Sequence, residues 1–311
     1  MTKPASKINP LVIGDRVAVV APGFGSSAEN LIRGVEFLRT KGFVVETPRN
    51  ILQGHFLHSH TDDFRFAQLK QAFENPEVSA VWCLRGGYGS QRLLPRLAKI
   101  RRPKTPKWLI GMSDISALNA FLWQEWGWPS LHGPVLERLS LGQNLVPVHA
   151  KETWEILTGS PVLRPQRLRP MNSAARSLKA LRGVALGGNL VTYASLIGTP
   201  FLPNSQRQIL FFEEVGERGY RIDRLLTQLQ QCSEFKNVKS VIFGTFSGGL
   251  EPGTERSLLG PVLQRFAEEV KIPVFTGFPF GHTHRQKPWI FGGRVSVKRS
   301  QKDRFEVDIS L

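Results

Sequence analysis

Short unbroken apolar runs alternate with helical patterns along the first 143 residues. RVAVVAP (Arg16 to Pro22) reads as a buried strand ending in a Pro-Gly loop, and residues 28–40 carry apolar positions three and four apart. Phe43 to Glu46 predicts a second strand. Thr61 to Phe73 predicts a helix opened by Asp62 and Asp63, and Val78 to Leu84 a third strand. The loop Arg85-Gly86-Gly87-Tyr88-Gly89 follows, then another helix. A further run, Trp108 to Ile110, reaches Gly111, Met112, Ser113 and Asp114. Beyond it the period turns helical at Ile115, Leu118, Phe121 and Leu122. Strands alternating with helices predict a parallel sheet covered on both faces, whose sites lie beyond the carboxyl ends of its strands. The loops at Pro22, Arg85–Gly89 and Ser113 share that edge.

From about Asn144 to Leu181 the periodicity weakens and prolines accumulate, which reads as a linker. The pattern then resumes. Gly187-Gly188-Asn189 precedes a short helix, Gln208 to Glu214 is a strand ending in carboxylates, and Tyr220 to Gln231 is a helix. Val238 to Phe246 and Arg256 to Val270 repeat the strand–helix alternation, and RVSVKR with RFEVDISL forms a closing pair of strands. The expected fold is α/β: an N-terminal, mostly parallel sheet with flanking helices, plus a smaller C-terminal α/β domain. The expected boundaries are 1–143 for the first domain, 144–181 for a basic linker and 182–311 for the second.

The 311 residues suffice for a large core, and no apolar stretch approaches the ~20 residues of a membrane span. With no signal-peptide pattern at the N-terminus, the expected location is the cytoplasm. Cys83 and Cys232 are too few for a disulfide framework or a metal cluster. His55, His58 and His60 share one loop without zinc-site spacing, so no metal and no cofactor is expected. The formal charge of +16 is the unusual quantity. It concentrates in KIRRPKTPK (Lys99 to Lys107) and at Arg164, Arg167, Arg169, Arg176, Lys179 and Arg182. Neither cluster is interleaved with the aromatics of a single-strand platform; a solvated surface and a polyanion contact both fit.

Candidate chemistry centres on Ser113. At a strand-to-helix turn a serine hydroxyl stands above the sheet beside backbone N–H groups, as a nucleophile requires; a serine there can equally cap the helix. A carboxylate at the end of the 208–214 strand and His282, after another strand, supply the remaining chemistry of a serine–histidine–carboxylate triad. A surface turn with His284 and Arg285 is the competing reading for His282. Gly86 and Gly87 permit close backbone approach to a ligand.

At these residues the chain resembles the LD-carboxypeptidase family, the S66 serine peptidases that include murein tetrapeptide carboxypeptidases and microcin-immunity peptidases. The matching blocks are VAPG (20–23), RGGYGSQRLL (85–94), IGMSDISAL (110–118), LHGP (131–134), GGNL (187–190), GTP (198–200), LFFEEVGERGYRIDRLL (210–226) and FGH (280–282), in family order. Ile115 stands where a G-x-S-x-G elbow would have its second glycine. The resemblance implies Ser113 as nucleophile, His282 as base and Glu213 as its carboxylate, with Glu214 and Glu217 as alternatives. It also implies backbone donors at Asp114 and at Gly86 or Gly87 for the oxyanion. The implied reaction is hydrolysis of an amide between an L-centre and a terminal D-amino acid, such as D-Ala of a murein tetrapeptide. Arg85 is the candidate for the substrate carboxylate, an ion pair with a nearby acid being its other reading. The expected partner is a small peptide, and a homodimer is expected. Two alternatives stand beside this one. A microcin-immunity-type peptidase would use Trp123, Trp126 and Trp128 as an aromatic wall, and a non-catalytic protein would bind polyanions through the basic surface.

Overall fold

The computed structural model describes residues 6–141, 147–159, 165–204 and 207–311. Its first sheet begins with five parallel strands, β1 (Arg16–Val20), β2 (Val44–Glu46), β3 (Val78–Cys83), β4 (Trp108–Gly111) and β5 (Ser130–His132), in spatial order β2-β1-β3-β4-β5. Helices Ala28–Thr40 and Asp62–Glu74 join the early strands, each entered through a hydroxyl cap: Ser27 accepts from the Asn30 N–H and Thr61 from the Phe64 N–H. Strands buried on both faces explain why VAVV and AVWC read as continuous apolar runs. From β1 the chain moves first to β2 on one side and then to β3 on the other. The crevice beyond the carboxyl ends of β1 and β3 is therefore the expected place for a site.

The second half supplies β6 (Gln166–Pro170), β7 (Ala180–Asn189), β8 (Ile209–Val215), β9 (Ser240–Ser247), β10 (Val274–Thr276), β11 (Trp289–Phe291), β12 (Arg294–Gln301) and β13 (Arg304–Ser310). All but β11 close into a barrel in the order β10-β6-β13-β12-β7-β8-β9. The last strand shows the one-sided pattern of its wall, with Phe305, Val307 and Ile309 buried and Arg304, Glu306, Asp308 and Ser310 exposed. β11 leaves the barrel and pairs antiparallel with β5, completing the first sheet as its sixth strand. Neither β5 nor β11 is predicted from the pattern; each is three residues long and buried throughout. Among the described residues no helix is long and apolar enough to cross a membrane.

The stretch expected to be a linker is instead built into the structure. Helix Pro147–Leu157 carries buried Ile156 and Leu157, and β6 is a stave of the barrel between β10 and β13. Only Leu168 of QRLRP faces inward, and Arg167 and Arg169 are exposed on the other face, so the strand offers too little apolar signal to be seen. Arg164 and its neighbours 160–163 lie outside the described residues, as do residues 142–146. The other basic cluster is not wholly a solvated face either. Lys107 is buried and donates from Nζ to the carbonyls of Ala72 and Asn75 at the end of helix Asp62–Glu74.

Candidate active site

Ser113 stands two residues beyond β4, where the chain turns through a 3₁₀ segment, Ser113–Ile115, into helix Ser116–Phe121. Its φ is 65°, a left-handed backbone that a serine adopts only under constraint. No side chain caps either helical segment, so Ser113 is not the cap that serine often supplies there. Its hydroxyl makes no hydrogen bond among the described residues, which leaves it free for chemistry. The loop of Gly86 and Gly87 packs directly on this turn. A side chain on Gly86 would place its Cβ 2.9 Å from Ser113 Cβ and 3.4 Å from Oγ, so only glycine fits. The N–H groups of Gly86 and Gly87 have no acceptor among the described residues.

The side chain of Asp114 is a feature that sequence reasoning missed. It is buried and accepts from the N–H groups of Gly89 (3.2 Å) and Ser90 (2.8 Å), tying the glycine loop to the nucleophile turn. Burial pushes this carboxyl above the usual carboxylate range, against the pull of those bonds and of Arg65. Arg65, also buried, donates to the carbonyls of Pro22 and Gly89 and pairs with Asp62. All three loops at the sheet's carboxyl edge are thus fastened by two buried side chains, the Asp114 carboxyl and the Arg65 guanidinium.

The two halves of the chain meet behind this turn. The Asn189 N–H, at the end of β7, donates to Ser116 Oγ at 3.0 Å. Beside β7, strand β8 shifts register between Phe212 and Glu214, a bulge that leaves consecutive carboxylates both buried. Their partners differ. Glu213 Oε2 lies 2.7 Å from His282 Nδ1. Glu214 accepts from Asn189 Nδ2 and from the N–H groups of Val191 and Val215, each at 2.9 Å. Burial, reinforced by the charge of Glu213, pushes Glu214 up to about 7. Glu217 lies on the following loop and pairs with Arg221 at 3.2 Å. Of the three candidates, only Glu213 reaches the histidine.

His282 is partly exposed, as a group that meets substrate must be. Burial opposes its charged form, yet the hydrogen bond and charge of Glu213, with help from Glu214, outweigh it and hold the pKa above the ordinary imidazole value. With a proton on Nδ1 held by Glu213, Nε2 is left as the free base. Behind the pair stands His132 of β5, wholly buried, stacked on Trp289 at 4.9 Å and edge-on to Phe280. Burial pushes His132 down to about 4 and keeps it neutral.

The other predicted positions fall as follows. Arg85 is half exposed, donates to the Gly25 carbonyl at 3.3 Å and pairs with Glu137 at 3.4 Å, the ion pair left open by the sequence. Trp126 and Trp128 are buried against Phe73 and one another and belong to the core, whereas Trp123 is only partly buried and packs on Gly292. His60 bonds Gln53 and the Thr61 N–H, and the His58 ring stacks on Tyr88.

The model of the LD-carboxypeptidase N-terminal domain matches residues 17–133, and that of the LD-carboxypeptidase C-terminal domain matches 182–297. The murein tetrapeptide carboxypeptidase of Pseudomonas aeruginosa is 30% identical over 296 residues, covering 94% of this chain and 95% of that protein. The microcin C7 self-immunity protein of Escherichia coli is 27% identical over 323 residues, 94% and 93% of the respective chains. The crystal structure of muramoyltetrapeptide carboxypeptidase from Oxalobacter formigenes superposes with a TM-score of 0.79 at 29% identity, over 95% of this chain and 99% of that one.

Proposed function

Because the chain belongs to the LD-carboxypeptidase family of S66 serine peptidases, we propose that it removes a terminal D-amino acid from a small peptide, with a murein tetrapeptide ending in D-Ala as its substrate. The observation that carries this reading is the His282–Glu213 bond of 2.7 Å, with Nε2 left free, where Glu213 is paired across β7 and β8 with Asn189, whose N–H donates to Ser116 Oγ three residues beyond Ser113. Nε2 of His282 takes the hydroxyl proton as Ser113 Oγ attacks the scissile carbonyl, and Glu213 stabilises the imidazolium that results. The oxyanion faces the N–H of Asp114 and one from Gly86 or Gly87. The imidazolium then protonates the departing amine, and water activated by the same histidine releases the acyl-enzyme. Trp126 and Trp128 lie in the core, which leaves only the partly buried Trp123 of the aromatic wall that an aminoacyl-nucleotide substrate would use.

Mass spectrometry of a murein tetrapeptide incubated with the pure protein tests the proposal. The expected product pair is tripeptide plus free D-Ala, with turnover abolished in Ser113→Ala while its circular dichroism stays that of the wild type. Turnover by Ser113→Ala within tenfold of wild type would remove Ser113 from the mechanism.

A further inference from the structure

A carboxypeptidase must read the free carboxylate of the residue it releases, and the reaction geometry restricts where the reading cation can stand. His282 protonates the departing nitrogen. The terminal carboxylate is separated from that nitrogen by a single carbon, so its partner belongs beside His282 and not on the oxyanion side. Arg85 sits on the glycine loop and is already engaged by Glu137 and the Gly25 carbonyl. Arg138, on helix Leu136–Leu141, is in the required place: its Nη2 donates to the carbonyl of Thr283, the residue next to His282, at 2.7 Å. Its charge is felt at the His282 ring.

Arg138 also lacks the partner that a half-buried arginine ordinarily has. Among the described residues no carboxylate pairs with it, and its neighbour Glu137 is committed to Arg85, Ser26 and Asn30. Burial alone acts on its guanidinium, lowering the pKa with no acid nearby to restore it. The Thr283 carbonyl occupies one of five N–H donors, and the guanidinium fork suits a carboxylate. We propose that Arg138 is the specificity-determining residue that binds the terminal carboxylate of the substrate. The inference rests on the carboxypeptidase reading and adds to it the group that makes the enzyme an exopeptidase. In this arrangement the fixed cation both selects the chain end and lies next to the imidazolium, so the substrate anion screens one from the other as the histidine becomes charged.

Binding decides the inference separately from turnover. In a Ser113→Ala background, calorimetry compares the tetrapeptide with its C-terminal amide. The free acid should bind more tightly, and Arg138→Ala should weaken it on the order of 50-fold while leaving the amide unchanged. Arg138→Lys should recover most of the loss, and guanidinium ion should partly restore the alanine variant. Arg85→Ala should weaken both ligands alike. Equal loss of acid and amide on Arg138→Ala would show that the arginine only holds the Thr283 turn, and acid-selective loss at Arg85 would reassign the role; either overturns the inference. Tight, Arg138-dependent binding of the acid without turnover by the wild type would instead count against the hydrolytic reading alone.

Discussion

At the scale of single residues, the site depends on small differences between neighbours. Glu213 and Glu214 are adjacent in sequence and both buried, yet the bulge in β8 gives one to His282 and the other to the start of helix Leu190–Ala194. Their glutamine variants should therefore diverge. Glu213→Gln offers His282 an amide that favours the wrong tautomer and should lower kcat on the order of 10⁴-fold. Glu214→Gln should act mainly on stability, because it disturbs the Asn189 and Val191 bonds, and Glu217→Gln should be close to neutral. Steady-state kinetics and thermal melts of the three variants check this; a larger kcat loss at Glu217 than at Glu213 would contradict the assignment. The Glu213–His282 pair was legible because residue type and family block coincide at both positions, and the proposed role of Ser113 rests on the same two signals. The Asp114 carboxylate, His132 and Arg138 were not legible, since their contacts join positions far apart in the chain: Asp114 to Ser90, and Arg138 to Thr283.

At the scale of elements, strands that were long or clearly one-sided were visible in the pattern. β1, β3, β4, β8, β9 and the β12–β13 pair fall where the apolar runs predict them. β6 escaped because one leucine carries its burial and two arginines surround it. The glycine loop is an element of another kind, held not by a ladder but chiefly by the side chains of Asp114 and Arg65. Asp114→Asn keeps the size of that side chain but sets an amide NH₂ or a single carbonyl against two backbone donors. The loop should then lose its register with the Ser113 turn. We expect kcat to fall on the order of 100-fold, as when an oxyanion donor is displaced, with KM changed little. Kinetics of this variant check it, and an Asp114→Asn enzyme with wild-type kcat would show that the brace does not position the donors.

At the scale of the whole molecule, buried histidines set how stability responds to acid. His132 and His149 are both held at about 4 by burial, the charges of Lys287, Arg285 and His284 adding to the effect at His149. Unfolded, each histidine takes up a proton near pH 6.5; folded, it does not until about 4. The unfolded state thus binds more protons in that window, and stability falls as pH falls through it, by a few kcal/mol for the pair. His282, Glu214 and Asp114 act in the opposite sense: their pKa values are raised in the folded state, Glu214 to about 7, so each contributes stability at low pH that is lost as the pH rises. The histidine contribution is isolated by comparison: between pH ~6.5 and ~4.5 the urea midpoint of His149→Leu should shift less in the destabilising direction than that of the wild type. Identical shifts in the two proteins would rule this out.

The strand β11 gives the molecule an order of assembly. Its partner β5 ends at His132, but β11 itself begins at Trp289, so the first sheet keeps an open edge while roughly 150 further residues are made. At ~5–20 residues per second of synthesis, that edge waits on the order of ten seconds or more. During this interval a nascent chain already carrying Ser113 has neither its sixth strand nor the loop bearing His282. On the proposed mechanism, peptide cleavage therefore cannot begin until the segment through His282 has emerged from the ribosome. The exposed side of β5 is meanwhile the place where a chaperone, or a second unfinished copy, would most readily attach.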